Sequence, residues 1–244
     1  MSLQDRTALV TGGAKGIGRA VAERLAAAGA HVVILGRDEA AMSESGFAHA
    51  VADVTDAAAF EQAIARLGPF DILVNNAGAA FSATFGRHTR HDWDAMLAVN
   101  LTACFTACHA VLPAMLSQGY GRIVSVASTA GLKGYAYTAA YCAAKHGLIG
   151  LTRALAMETA RSGVTVNAVC PGFTDTGLVE RAVDNIVART GQTADAALAA
   201  LARANPQNRL TTPGEVAEAV LFLCGDNAAG LTGQSLAIAG GEVM

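Results

Sequence analysis

The sequence predicts an α/β fold: a doubly wound, seven-stranded parallel sheet with helices on both faces. Three observations carry that prediction. Short β-branched runs alternate with longer helical patterns along the whole chain, the signature of strand–helix–strand units. Runs such as Ile72-Leu73-Val74 and Ile123-Val124-Ser125-Val126 are apolar on both faces, as strands covered from both sides require. A glycine-rich turn, Gly12-Gly13-Ala14-Lys15-Gly16-Ile17-Gly18, joins the first strand to the first helix.

The strand readings are Thr7–Thr11, His31–Gly36, Ala48–Ala52, Asp71–Asn75, Arg122–Ala127, Thr165–Cys170 and Ser235–Ala239. Between them, residues 16–29, 56–67, 92–117, 138–162 and 213–225 have helical patterning. Segment 174–209 breaks the rhythm: it is rich in Ala, carries charges and contains Asn205-Pro206. A stretch of this length is expected to be functional, and a helical lid over a substrate pocket is the reading.

The length of 244 residues fits one domain, since α/β folds of about 200–250 residues routinely stay single. Hydrophobic residues make up 52% and charged residues 15%, which leaves little surface for a solvated monomer and points to a subunit interface. A net charge of −3 argues against nucleic acid or an anionic membrane as partner. No uninterrupted apolar run has bilayer-spanning length, and the N-terminus lacks the basic-then-apolar pattern of a signal peptide. Cys104, Cys108, Cys142, Cys170 and Cys224 are odd in number and lie in apolar segments, as reduced thiols of a cytoplasmic protein do. No His or acidic cluster accompanies them, so no metal site is expected.

Gly12, Gly16 and Gly18 have the spacing G-x3-G-x-G. Such a turn lets the backbone approach a pyrophosphate, and the following helix N-terminus favours its charge. At the end of the second strand an acidic residue would select NAD through the ribose 2′-hydroxyl. This chain has Gly36 and Arg37 instead, and an arginine can grip a 2′-phosphate bidentately. Lys15 can add a second cation, so NADP is favoured over NAD. Asp38 lies beyond the strand's apolar end and is not read as the selecting acid.

Tyr141 and Lys145 stand four apart, on one face if 138–162 is a helix. A free phenol ionises near a pH of roughly 10. A neighbouring ammonium favours the phenolate, and a phenol so placed can exchange a proton with an alcohol or ketone oxygen.

These segments together resemble the short-chain dehydrogenase/reductase family over essentially the whole chain. The motifs are Thr11-Gly12-x3-Gly16-Ile17-Gly18, Asn75-Asn76-Ala77-Gly78, Asn100, Ser128, Tyr141-x3-Lys145 and Pro171-Gly172. The resemblance implies a catalytic set of Asn100, Ser128, Tyr141 and Lys145. Tyr141 would be general acid in reduction and base in oxidation, and Ser128 would hold the substrate oxygen. Lys145 would tune the tyrosine and bind the nicotinamide ribose, and Asn100 would hold a water of a proton relay. It further implies that Asn75, Ala77 and Gly78 line the adenosine side of the cleft and that Asp53, followed by Val54, meets the adenine. Pro171, Gly172, Thr174 and Thr176 would meet the nicotinamide. The chain departs from the family pattern in two places: only fifteen residues separate Arg37 from Asp53, fewer than is usual there, so the second helix is expected to shrink to a short turn, and Ala239 stands where the family commonly has aspartate.

The substrate pocket is expected between the lid and loop 129–137, with Lys133 either attracting an anionic group or solvated. Segment Pro171–Glu180 is similar to 3-hydroxybutyrate dehydrogenases, and Gly147 to Asn167 is similar to 3-oxoacyl-thioester and polyketide reductases. Both point to a 3-oxoacyl or 3-hydroxyacyl substrate, an acyl-CoA or acyl-carrier thioester by preference. The alternatives are an NAD-dependent 3-hydroxyacyl or 3-hydroxybutyrate dehydrogenase, an alcohol or polyol dehydrogenase of the family, and a catalytically silent nucleotide-sensing protein. The implied assembly is a homotetramer.

Overall fold

The computed structural model describes residues 2–243. Its strands are β1 (Thr7–Thr11), β2 (His31–Gly36), β3 (Ala48–Val51), β4 (Ile72–Asn75), β5 (Gly121–Val126), β6 (Val164–Pro171) and β7 (Ser235–Ile238). Among the described residues they form one seven-stranded sheet in the order β3-β2-β1-β4-β5-β6-β7, each neighbouring pair parallel. The strand order reverses between β1 and β4, so the crevice at their carboxyl ends is the place where a doubly wound sheet binds ligands.

The period-two alternation of each strand feeds two separate cores. Val10, Ile34, Ile72, Val74 and Val124 point to the layer of α1 (Gly16–Ala27) and α9 (Pro213–Cys224), meeting Val21, Leu25, Val216 and Val220. Leu9, Leu35, Leu73 and Ile123 point the other way. There they meet Phe60 and Ile64 of α3 (Ala57–Leu67) and Val111 and Met115 of α5 (Ala103–Gln118). Burial of an aliphatic or aromatic side chain of this size contributes about 1.5–3 kcal/mol, so these two layers carry most of the driving force.

The second helix is short, as the spacing requires: α2 is Glu39–Glu44, started by the Asp38 carboxylate accepting from the Ala41 N–H at 3.1 Å. The predicted helix at 92–117 differs in one respect. It runs as α4 (Arg90–Leu97) and α5 with a π-helical turn, Ala98–Thr102, between them. Arg90–Gln118 is long and apolar enough to cross a bilayer, yet here α5 buries Ala103, Ala107, Val111 and Met115 against the sheet and α3. The following helix, α6, spans Ala139–Thr159. Segment 174–209 folds into α7 (Gly177–Thr190) and α8 (Ala194–Ala202) with a turn behind them. All five cysteines are buried and unpaired; burial pushes the Cys104 thiol up to about 11 and the Cys224 thiol up to about 12.

α9 begins with a capping box: Thr212 Oγ1 accepts from the Glu215 N–H at 3.2 Å, and the Glu215 carboxylate accepts from the Thr212 N–H at 2.8 Å. The Arg209 fork, at 2.6 and 2.8 Å, holds the Glu215 carboxyl down at about 2, with the Thr212 N–H helping. A depressed carboxyl stabilises the fold above its ordinary ionisation and loses that contribution as pH falls through the folded value. Glu215→Gln is therefore expected to lower stability at neutral pH by about 1 kcal/mol, the scale of a partly exposed cap. The difference from wild type should shrink below about pH 4 and vanish only below about pH 2 in denaturant titrations.

Candidate active site

The carboxyl ends of β1 and β4 are tied together before any ligand arrives. Thr11 Oγ1 accepts from the backbone N–H groups of Asn76 and Ala77, both at 3.0 Å. The Asn76 amide donates to the carbonyls of Thr11 at 2.9 Å and Gly12 at 3.2 Å. Gly12 and Gly16 have left-handed backbone, φ 65° and 53°, where a side chain is strained. A Cβ on Gly12 would sit 3.1 Å from the Ala77 Cα, and one on Gly18 would run into the Gly12 carbonyl and the Asn76 amide. The turn is thus an open cradle whose backbone can lie against a ligand, with the N-terminus of α1 facing it.

A cleft of about 550 Å³ runs from this cradle along the edge of the sheet. Gly12, Lys15, Gly16, Ile17, Ala77 and Gly78 line one end of it. Ser128, Tyr141, Lys145, Pro171, Gly172, Thr174 and Thr176 line the rest, so the predicted catalytic set and glycine loop share one cavity. A second cavity of about 460 Å³, lined by Gly36, Arg37, Asp53 and Val54, adjoins the first through Gly12, Ala77 and Gly78.

Ser128 is extended at the end of β5 and caps the turn Thr129–Gly131, its Oγ accepting from the Ala130 N–H at 3.1 Å. Its own proton stays available to the cleft. Tyr141 and Lys145 share one face of α6, with the Lys145 Nζ 5.7 Å from the centre of the tyrosine ring. Lys145 is buried and donates to the Val126 carbonyl at 2.8 Å. Among the described residues nothing is hydrogen-bonded to the Tyr141 hydroxyl, which leaves it open to a partner in the cleft.

One expectation is corrected. Asn75 does not line the cleft: it is buried, and its amide meets Cys108 Sγ and Ser125 Oγ, both at 3.4 Å. In-and-out alternation along β4 turns residue 75 into the layer of α5 and gives the cleft to Asn76 instead. Asn100 lines the cleft, but its side chain is engaged with backbone. It donates to the carbonyls of Ala79 at 2.9 Å and Met96 at 3.1 Å, and accepts from the Ala79 N–H at 3.3 Å. The side chain holds loop 77–79 in place and makes no hydrogen bond with Lys145. Gly78 lies between them: a Cβ there would stand 2.8 Å from Asn100 Oδ1 and 3.8 Å from Lys145 Nζ.

Both candidate phosphate cations carry counter-ions. Lys15 meets Asp38 at 2.6 Å and Arg37 meets Asp53 at 3.2 Å. Lys15 and the Ala41 N–H hold the Asp38 carboxyl below its ordinary value. The Thr55 N–H and hydroxyl, with Arg37 contributing, do the same for Asp53. Lys133 is ion-paired to Glu242 at 3.0 Å, so it is not an unengaged anion receptor.

The sequence reading did not single out Asn76, Phe173, Arg181 or Asn185, all of which line the cleft. Asn76 sits inside a motif already quoted; α7 residues carry no local signal beyond helical spacing. Arg189 of α7 donates to the Ser82 carbonyl at 3.1 Å and links α7 to the loop after β4.

Comparison with known proteins agrees with this geometry. Residues 6–186 match the short chain dehydrogenase family. The chain is 38% identical to a D-beta-hydroxybutyrate dehydrogenase of Rhizobium meliloti (strain 1021), over 97% of this chain and 98% of that protein. It is 39% identical to an acetoacetyl-CoA reductase of Shinella zoogloeoides, over 98% of each. Among solved structures it is similar to a variant of actinorhodin polyketide ketoreductase with NADPH, at TM-score 0.92 and 36% identity over 99% of each chain.

The β1–β4 tie makes a separable prediction. Asn76→Ala removes the donor from two backbone carbonyls beside the cradle, a loss of about 1–3 kcal/mol. Dinucleotide affinity, read by fluorescence titration, is expected to fall by roughly tenfold or more. Asn75→Ala should lower thermal stability and leave that affinity unchanged.

Proposed function

The chain belongs to the short-chain dehydrogenase family, and from that premise we propose that it is an NADP-dependent reductase of 3-oxoacyl thioesters. The observation that carries the reading is the single cleft holding Ser128, Tyr141 and Lys145 at one end and the Gly12–Gly16 cradle at the other. The cradle fits a dinucleotide: Gly12 and Gly16 are left-handed, Gly78 leaves room beside Lys145, and Thr176 lies over Gly16. Gly12, Gly16 and Ile17 would hold the pyrophosphate, Ala77, Asp53 and Val54 the adenosine, and Pro171, Gly172, Thr174 and Thr176 the nicotinamide end.

A bound reduced nicotinamide supplies hydride; the chain's residues handle the oxygen. Ser128 and Tyr141 donate hydrogen bonds to the carbonyl oxygen as negative charge builds on it. Tyr141 then gives up its proton, and the buried Lys145 ammonium stabilises the phenolate left behind. Asn100 acts by fixing loop 77–79 against this pair.

NADP over NAD is supported by Gly36-Arg37 at the end of β2. The ion pairs Lys15–Asp38 and Arg37–Asp53 are no obstacle. They are exposed, with Lys15 72% and Arg37 76% open, and solvent and salt screen such pairs so that they hold their partners weakly. A 2′-phosphate dianion can displace either carboxylate. The thioester is supported by the acetoacetyl-CoA reductase relative and by the apolar wall of Phe81, Phe173, Leu178 and Ala182. Exposed Phe105, Met157, Phe222 and Leu236 support a homotetramer as the assembly.

Initial rates of acetoacetyl-CoA reduction test the reading. NADPH is expected to outrun NADH, and Tyr141→Phe to lose about 10²–10⁴-fold in kcat. Arg37→Ala should raise KM for NADPH and leave KM for NADH alone. A wild-type preference for NADH would overturn the cofactor assignment. It would instead favour 3-hydroxybutyrate oxidation, with Asp38 keeping Lys15 occupied.

A further inference from the structure

Glu242 follows the Gly240-Gly241 turn and enters the interior, where its side chain is only 2% exposed. A buried carboxylate costs several kcal/mol unless its oxygens are engaged. Here Oε1 is doubly engaged: it accepts the Tyr135 hydroxyl and pairs with the Lys133 ammonium at 3.0 Å. Among the described residues Oε2 has no partner; it is buried and lies against the cleft wall, 3.0 Å from where a Gly172 Cβ would stand.

The contacts of Tyr135 show what this arrangement holds. Its oxygen is also hydrogen-bonded to Thr129 Oγ1 at 2.7 Å, and its ring edge packs on Phe173 at 6.2 Å between centroids. The Thr138 hydroxyl donates to the Tyr135 carbonyl at 3.1 Å, and the Lys133 ammonium lies 5.0 Å from the Tyr135 ring. Burial and the adjoining Glu242 push the Tyr135 phenol up, so it stays a donor throughout the working pH range. Apart from Glu242, every one of these residues lies between Ser128 and Tyr141 or on the cleft floor at residues 172–173. The segment is anchored at its start by the buried turn Thr129–Gly131 and near its end by the Tyr137 carbonyl, which accepts from the Ala83 N–H at 2.8 Å; between them Gly134, Ala136 and Tyr137 are exposed, and Tyr137 has left-handed backbone at φ 70°.

We propose that Glu242 is a positioning residue for the reaction: its carboxylate, acting through Tyr135 and Lys133, clamps the segment that joins Ser128 to Tyr141 and so fixes their spacing about the substrate oxygen. Glu242 itself touches no reacting atom. The inference rests on hydride transfer in this cleft and not on the thioester assignment. A small misplacement of catalytic groups is enough to matter, because about 1 Å can cost roughly 10²-fold in rate.

The test compares Glu242→Ala, Glu242→Gln, Tyr135→Phe and the combination of Glu242→Ala with Tyr135→Phe. Kinetics are read with any carbonyl compound the wild type reduces. Glu242→Ala and Tyr135→Phe are each expected to cut kcat/KM for the carbonyl compound about tenfold while KM for the nicotinamide cofactor holds. The combination should be no worse than Glu242→Ala alone, since both break one linkage. Glu242→Gln should recover most of the activity, because an amide oxygen still accepts from Tyr135. Amide exchange, which needs no substrate, should show residues 129–138 losing protection in Glu242→Ala while β4 and β5 keep theirs. Unchanged protection at 129–138 would overturn the proposal whatever the substrate is. So would carbonyl KM, cofactor KM and core protection all worsening together, which would mark Glu242 as general support for the fold.

Discussion

One buried ammonium organises this molecule. Lys145 is 5% exposed, donates to the Val126 carbonyl, and among the described residues takes part in no ion pair. An isolated charge in such a place is unfavourable and persists only where its surroundings hold it. Those surroundings are recognisable one by one. Gly78 keeps the space beside it clear, Asn100 pins the loop that carries Gly78, and α6 sets Tyr141 on the same face one turn earlier. The thiols of Cys104 and Cys170 feel the ammonium, yet burial pushes both up to about 11, so neither becomes its counter-ion. The positive charge is left for the tyrosine and whatever the cleft binds.

The sheet delivers these groups to one edge. Because every strand is parallel, the carboxyl ends of β1, β4, β5 and β6 emerge together with Gly12, Asn76, Ser128 and Pro171. Residues from these four separate segments therefore need no special loop to meet. The local ties, Thr11 to Asn76 and Ser128 to its own turn, then remove the remaining freedom before a ligand is present. Preorganisation of this kind is what makes hydrogen-bond donors effective against a developing oxyanion.

Much of this was legible in the sequence because it rests on local chemistry. Two-sided apolar runs marked the central strands, and glycine spacing marked the cradle. The i, i+4 relation alone placed Tyr141 beside Lys145. What escaped depended on three-dimensional accounting. Asn75 and Asn76 are chemically identical, and only the in-and-out register of β4 decides which one faces the cleft. The π turn at Ala98–Thr102 has no composition cue, yet it is the segment that contains Asn100. The pairings of Lys15 with Asp38, Arg37 with Asp53, and Lys133 with Glu242 join residues up to more than a hundred positions apart. Their partners are set by the fold, not by spacing.

Lys145 is kept for chemistry at the expense of stability. Lys145→Met keeps the length of the side chain and removes the charge. Thermal unfolding and turnover of the same preparation decide the matter. The melting temperature is expected to equal or exceed that of the wild type, with kcat falling by at least roughly 10²-fold. A variant that melts earlier and still turns over at the wild-type rate would contradict it, and would make Lys145 a structural anchor for the Val126 carbonyl.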